Sequence, residues 1–312
     1  MPTLTWISTH DLTIDIGEMP IRVHADSPEF AHMLRDRYGE FVDADAPNAR
    51  MELEIELVKE PELAAGGSGS GRDRDAHADL SVRVEAGRWV MERGDFRAEW
   101  DPQCHRGWVR QSVNPYAIDG VLRILHSLIL ARQGGFLVHA ASAVRNGRAF
   151  VFAGVSGVGK TTLARLAPPD VTLLTDEISY VRPAEQVSGA QCQVPDGSYA
   201  ATAASSLAPD TRHLTPAFSA FGTPFAGELA KIGHKVRAPL AALFLLKQGP
   251  ENRIEPVSAA EATRELLGHV LFFAHDQELV LMVFNTICAF VKRVPVRRLV
   301  FTKDARVWEL IA

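Results

Sequence analysis

The run Gly154-Val155-Ser156-Gly157-Val158-Gly159-Lys160-Thr161 constrains this chain more than any other stretch. It satisfies G-x-x-x-x-G-K-[ST] at every position. An apolar segment, Arg148–Ala153, leads in, and a helix-compatible segment, Lys160 to Leu166, leads out. The spacing has a mechanical cause. Glycines let the backbone curl until successive N–H groups converge on phosphate oxygens. Lys160 then brings a point charge to the terminal phosphates, and the Thr161 hydroxyl is placed to ligate Mg²⁺. The following helix adds its positive end. The residues expected around the polyphosphate of ATP are therefore Gly154, Val155, Ser156, Gly157, Val158, Gly159, Lys160, Thr161 and the adjoining Thr162.

The surroundings of the loop narrow the fold. In common phosphate-loop proteins several βα units follow and build a parallel sheet. Here one strand, Val171–Thr175, ends in Asp176-Glu177, and the chain then runs to about Pro256 in strands and loops rich in Gly, Pro and Ser. Two apolar segments precede the loop, Phe136–Val144 and Arg148–Ala153, joined by Arg145-Asn146-Gly147, and Asn-Gly between hydrophobic runs signals a hairpin. The sheet is thus expected to be mixed, and the class α/β with α+β character. No guanine-reading NKxD, no LSGGQ-like signature and no HRD or DFG set is present.

On the amino-terminal side a small α+β module is expected over residues 1–107, with the phosphate-loop domain over 108–312. Thr3–Ile16 and Met51–Val58 alternate as half-buried strands do. Ser27, Pro28 and the stripe Phe30, Met33, Leu34 and Tyr38 mark a capped amphipathic helix reaching Phe41. The stretch 64–78 is glycine-rich and charged with no strand leading in, which reads as a flexible surface loop. Leu80–Val84, Arg88–Arg93 and Asp95–Trp100 form a meander, with a boundary near Pro102–Gly107. Beyond it Asn114-Pro115 opens a helix through Ile129 that stops at Gly134-Gly135. Ser258 and Glu261 make a capping box for a helix to about Phe273, and a second helix spans about Gln277 to Val291. Arg297–Phe301 and Arg306–Ile311 are expected to close as two strands.

Composition excludes several classes. The formal net charge of −5 gives no basic surplus for nucleic acid, and the cluster Lys292–Arg298 suits a helix end. The longest apolar run, Leu279 to Val291, contains Asn285 and Thr286 and falls short of the roughly 20 residues a membrane span needs. Three distant cysteines, without CxxC spacing, fit a reducing cytoplasm better than a disulfide framework or zinc site. The polar amino terminus does not read as a signal peptide, so a cytoplasmic protein is expected. Nothing decides between a monomer and a homo-oligomer.

The segments Gly135–Val144, Phe152–Leu163 and Leu174–Glu177 resemble the catalytic domain of HPr kinase/phosphorylase and its relatives, a fold shared distantly with phosphoenolpyruvate carboxykinase. The carboxyl-terminal stretch from Pro239 is closer to the branch found with lasso-peptide biosynthesis genes. The likeness rests on the loop, on His139 in the first strand of the hairpin that leads into it, and on the acidic pair ending the next strand. It covers about residues 110–312. It implies that Asp176 is the general base, that Glu177 lies on or near the metal with Thr161 and Asp176, and that His139 and Lys160 belong to the catalytic set. Thr162 stands where bifunctional members carry an acid, and the glycine-rich phosphorolysis signature is missing. The implied activity is forward transfer of the γ-phosphate of ATP to a Ser/Thr-type hydroxyl on a peptide or protein. A small-molecule hydroxyl acceptor and a nucleotide-binding regulator without transfer are the alternatives. A compact loop, Gly222–Glu228, is expected to close over the acceptor through Thr223, Pro224 and Glu228, with Lys231, Lys235 or Arg237 available to neutralise charge.

Overall fold

The computed structural model describes residues 10–43, 49–59, 80–184, 217–274 and 276–311. The expected loop at 64–78, and the start of the first strand before His10, lie outside the described residues. Two sheets organise the chain into a mixed α/β fold. The first begins with a hairpin of β1 (His10–Ile16) and β2 (Met19–Ala25) turned through Gly17 and Glu18, both at positive φ. Helix α1 (Pro28–Tyr38) follows, capped by Ser27, whose hydroxyl accepts from the Phe30 N–H. Then come β3 (Met51–Leu57), β4 (Ser81–Glu85), β5 (Arg88–Arg93), β6 (Phe96–Asp101) and β7 (Arg106–Gln111) in the order β1-β2-β3-β7-β6-β5-β4. Strand β2 was not expected from the sequence, although its burial alternates along Met19–Ala25. Strand β7 lies between β3 and β6, so the first sheet continues to Gln111, beyond the expected break near Pro102–Gly107.

Helix α2 (Pro115–Arg132) lies between the two sheets, which explains why so many of its faces are apolar: Ile118, Val121, Leu122, Leu125 and Leu128 are fully buried. The second sheet is built from β8 (Phe136–Arg145), β9 (Arg148–Ala153), β10 (Thr172–Thr175), β11 (Ile178–Pro183), β12 (Phe218–Phe221), β13 (Arg237–Gln248), β14 (Arg253–Pro256), β15 (Val270–Leu271) and β16 (Val296–Phe301). The expected hairpin forms β8 and β9, with Asn146 and Gly147 at positive φ. The long strands β8 and β13 each serve two sets of neighbours. Pairings β8-β11, β11-β12, β12-β13, β13-β9 and β9-β8 close a five-strand ring. Within it β9 lies antiparallel to β8 and parallel to β13, and β16 continues the parallel set.

Two expectations at the carboxyl-terminal end change. The helix opened by Ser258 is α4 (Ala259–Leu267); it stops at Gly268, because the next residues pair as β15 with β8 instead of continuing to Phe273. Residues Ala305–Leu310 form a 3₁₀ segment and not a strand. The Asp304 carboxylate accepts from the Arg306 N–H, and the Val307 and Ile311 N–H groups donate to the carbonyls of Asp304 and Trp308 three residues back, so the chain coils over buried Val307 and Trp308. Helices α3 (Lys160–Arg165) and α5 (Gln277–Arg293) match their expected spans to within a few residues.

One apolar core runs through both sheets and α2. Polar contacts add to it at the junction. Asp119 of α2, almost wholly buried, accepts from the Arg37 guanidinium and from the Tyr38 hydroxyl at 2.6 Å. Gly17 lies so close to the Tyr180 ring that a Cβ there would fall 2.2 Å from a ring carbon. A second cluster, including Phe150, Phe152, Leu163, Phe301 and Trp308, fills the opposite face of β9 beneath α3.

Candidate functional site

Strand β9 ends at buried Ala153, and the glycine-rich loop leaves the sheet there. Gly157 and Gly159 take φ of +77° and +114°, where side chains are strained. A Cβ on Gly159 would also fall 2.7 Å from the Phe301 ring, and one on Gly154 2.8 Å from Val158 Cγ1. The loop's curvature therefore depends on glycine for both conformation and space. It is braced from outside: the Gln248 carboxamide donates to the carbonyls of Gly157 and Val158, both at 3.2 Å. The Trp308 indole N–H holds the Leu163 carbonyl, fixing α3 from below.

Lys160 opens α3 and is buried. Its ammonium donates to the Gly154 carbonyl at 2.9 Å and the Val155 carbonyl at 3.2 Å. Burial pushes its pKa down, while the charges of Glu228 and Glu177 oppose that shift. Thr161 and Thr162 follow in the first turn, half-buried.

Across β8 from β9, strand β10 ends at Thr175, and the chain turns through Asp176-Glu177 into β11. The Thr175 hydroxyl accepts from the N–H groups of Glu177 and Ile178, which sets this turn. The Ala140 N–H donates to the Glu177 carbonyl at 2.9 Å, while Ala140 itself pairs with Ala153. The acidic pair and the loop thus leave the same edge of the sheet on either side of β8. Asp176 is 3% exposed, and its carboxylate oxygens accept from the N–H groups of Gly227 and Leu229, each at 2.9 Å. Gly227 is required there, since a Cβ would fall 2.8 Å from Asp176 Oδ2. Burial raises the Glu177 pKa, and the attraction of Arg123 at 3.4 Å does not fully offset it; the neighbouring Asp176 charge adds to the rise.

His139 sits on β8 between these two groups. Its N–H donates to the His269 carbonyl at 2.8 Å. Burial lowers both imidazole pKa values, and the Lys160 charge lowers each further. Both rings are therefore neutral at pH 7. The structure brings together Lys160, His139, Asp176, Glu177 and Glu228, all singled out by the sequence. It adds two that were missed. Arg123 stacks over the Phe225 ring at 4.9 Å and reaches Glu177. It stands out in the sequence as a cation inside the apolar stripe of α2. His269 becomes visible only when β15 lies beside β8.

Other residues of the expected acceptor loop and its neighbouring cations are engaged within the fold. Thr223 is fully buried; its hydroxyl donates to the Ile178 carbonyl and its N–H to the Leu174 carbonyl. Pro224 is buried beside it. Both residues are packed against the ends of β10 and β11. Lys235 pairs with Asp15 at 2.9 Å and Arg237 with Glu18 at 3.0 Å, so both tie the second sheet to the β1–β2 hairpin instead of serving the site. Lys231 and Glu228 are exposed. Among the described residues no three His, Cys, Asp or Glu side chains are grouped to hold a metal, and no helix is long and apolar enough to cross a membrane.

A family model described as the SynChlorMet cassette protein ScmC matches residues 117–312, from the first turns of α2 to the end of the chain. No curated protein matches the chain. The match spans more than half of the sequence, and the chain belongs to this family.

Proposed function

We propose that this member of the ScmC family is a Mg-ATP-dependent kinase, transferring the γ-phosphate to a Ser or Thr hydroxyl of a peptide or protein through an HPr-kinase-like domain. One observation supports the reading above the rest. The Lys160 loop and the Asp176-Glu177 turn leave one sheet edge on either side of β8, with His139 between them. Phosphoryl transfer needs little covalent help from a protein. It needs positioned phosphates, neutralised charge and one carboxylate within reach of the attacking hydroxyl.

Each group has a task in that scheme. The loop amides and Lys160 grip the polyphosphate. Asp176, fixed by two backbone N–H groups, accepts the proton of the acceptor hydroxyl. Neutral His139 and His269 line the approach and can donate hydrogen bonds without adding charge. Glu177 fits a cation well, because burial penalises its ionised form and a nearby positive ion would relieve that penalty. Thr161 and Glu177 would hold Mg²⁺, which needs only one or two protein ligands beside phosphate and water. The metal supplies charge neutralisation on the phosphates. The reading places the protein in the cytoplasm, in keeping with the free thiols Cys104 and Cys288.

A second reading, nucleotide binding without transfer, draws on one feature: both Asp176 oxygens are engaged by the 227–229 loop. One experiment separates the two. The wild type and Asp176→Asn are incubated with γ-labelled ATP and a peptide pool, and products are read by mass spectrometry. Label on Ser or Thr with the wild type alone supports the kinase. ATP bound but never turned over supports the regulator, and no ATP binding removes both.

A further inference from the structure

We infer that the cleft lined by Val158, Thr162, Gln248, Thr302 and Lys303 receives the base and sugar of the nucleotide, and that it accepts adenine and guanine about equally. The inference rests on the phosphate-loop reading and extends it to the other end of the ligand.

Topology sets the direction. Strands β9, β13 and β16 are parallel neighbours in that order, so the loop, Gln248-Gly249 and Thr302-Lys303 follow one another along one edge. Ligands of α/β sheets sit outside the carboxyl ends of such strands. The acidic pair and His139 lie on the β8 side of the loop. A polyphosphate whose terminal group meets Lys160 and Asp176 must then send its nucleoside the opposite way, toward β13 and β16. A shallow cleft of about 190 Å³ opens there, smaller than the roughly 300–1,000 Å³ of a whole small-molecule site and of a size for one end of a ligand.

The lining determines what is read. Phe301 and Val158 supply apolar surface, and exposed Lys303 adds a stem and a cation that can lie over any base. The Gln248 amide hydrogens are committed to the loop carbonyls, and the Gly249 N–H to the Phe301 carbonyl. Among the described residues, none that lines the cleft is an Asp or Glu. Guanine is selected by an acceptor pair facing its ring N–H and amino group, and none of the described lining residues brings a carboxylate to provide one.

The test measures binding of ATP, GTP and inorganic tripolyphosphate to the wild type and to Thr302→Trp, with azido-ATP photolabelling of the unsubstituted protein. ATP and GTP should bind within about tenfold of each other, and both more tightly than tripolyphosphate. In Thr302→Trp, ATP affinity should fall to the tripolyphosphate level while tripolyphosphate binding is unchanged. The photolabel should fall on 248–249 or 301–303. Unchanged ATP binding in Thr302→Trp, or label elsewhere, with tripolyphosphate still bound, would overturn the cleft and leave the loop intact. A purine preference well beyond tenfold would overturn the indifference. Failure of the wild type to bind either ATP or tripolyphosphate would overturn the loop reading, and the cleft with it.

Discussion

Replacing Asp176 by Asn separates anchoring, which the structure shows, from the chemistry proposed for this side chain. Its two oxygens each accept one backbone N–H at 2.9 Å, from Gly227 and Leu229. Asparagine keeps one acceptor and turns an NH₂ group toward the other amide. One buried N–H then loses a charged partner, a cost of roughly 1–3 kcal/mol. At about 2–4 °C per kcal/mol for larger domains, the melting temperature should fall by a few degrees. The chemical loss is larger: removing a general base costs roughly 10²–10⁴ in rate. ATP affinity should hold or tighten, since a negative charge near the phosphates has gone. The assay is single-turnover hydrolysis of ATP without acceptor, run beside thermal melts and binding isotherms. Gly227→Ala serves as the control, because its Cβ, 2.8 Å from Asp176 Oδ2, disturbs the anchor but leaves the carboxylate. It should melt lower yet retain far more activity than Asp176→Asn. If Asp176→Asn melts lower but hydrolyses at the wild-type rate, Asp176 is an anchor only and the base must be sought elsewhere.

Other expectations concern the frame around the site. His126 is fully buried with Nδ1 3.2 Å from the Tyr180 hydroxyl, and burial pushes its pKa down to about 3. Below pH 6.5 the unfolded chain takes up a proton that the folded imidazole refuses. Stability therefore drops with pH at about 1.4 kcal/mol per unit, or about 2 kcal/mol between pH 6.5 and pH 5. Denaturant midpoints at pH 7 and pH 5 should show that loss in the wild type and a smaller one in His126→Gln. Asp119→Ala strands the Arg37 guanidinium and the Tyr38 hydroxyl at the junction of the sheets, and should cost roughly 3 kcal/mol in urea unfolding. Gly159→Ala meets both a φ of +114° and the Phe301 ring. It should lower the melting temperature and weaken ATP binding together in one sample.

Much of the site was legible because it is local. The strand, loop and helix around Lys160, and the acidic pair after β10, are contiguous patterns whose spacing is fixed by backbone geometry. His139 could be placed because an Asn-Gly turn sets the hairpin register. What escaped was set by distant pairing. His269 joins the site only because two residues of β15 pair with β8, and a two-residue strand leaves no periodicity to read. Thr223 and Pro224 were read as part of a compact loop closing over the acceptor, and their burial through contacts with Leu174 and Ile178 leaves no local pattern in the sequence. Lys235 and Arg237 were read as available charges for the same reason: their carboxylate partners, Asp15 and Glu18, lie on the first sheet, far away in sequence. The 3₁₀ segment after Asp304 was read as a strand because its few apolar residues carry no helical period, whereas its hydrogen bonds run three residues back along the chain.

The central claim is that the loop at Gly154–Thr161 holds the phosphates of ATP through Lys160. Isothermal titration of Mg-ATP into the wild type and into Lys160→Ala tests it most directly. The account predicts saturable one-site binding to the wild type, and a loss of at least about tenfold, roughly 1.4 kcal/mol, in a variant whose melting curve shows it still folded. Equal affinity in the two proteins, or no binding to the wild type, would contradict it.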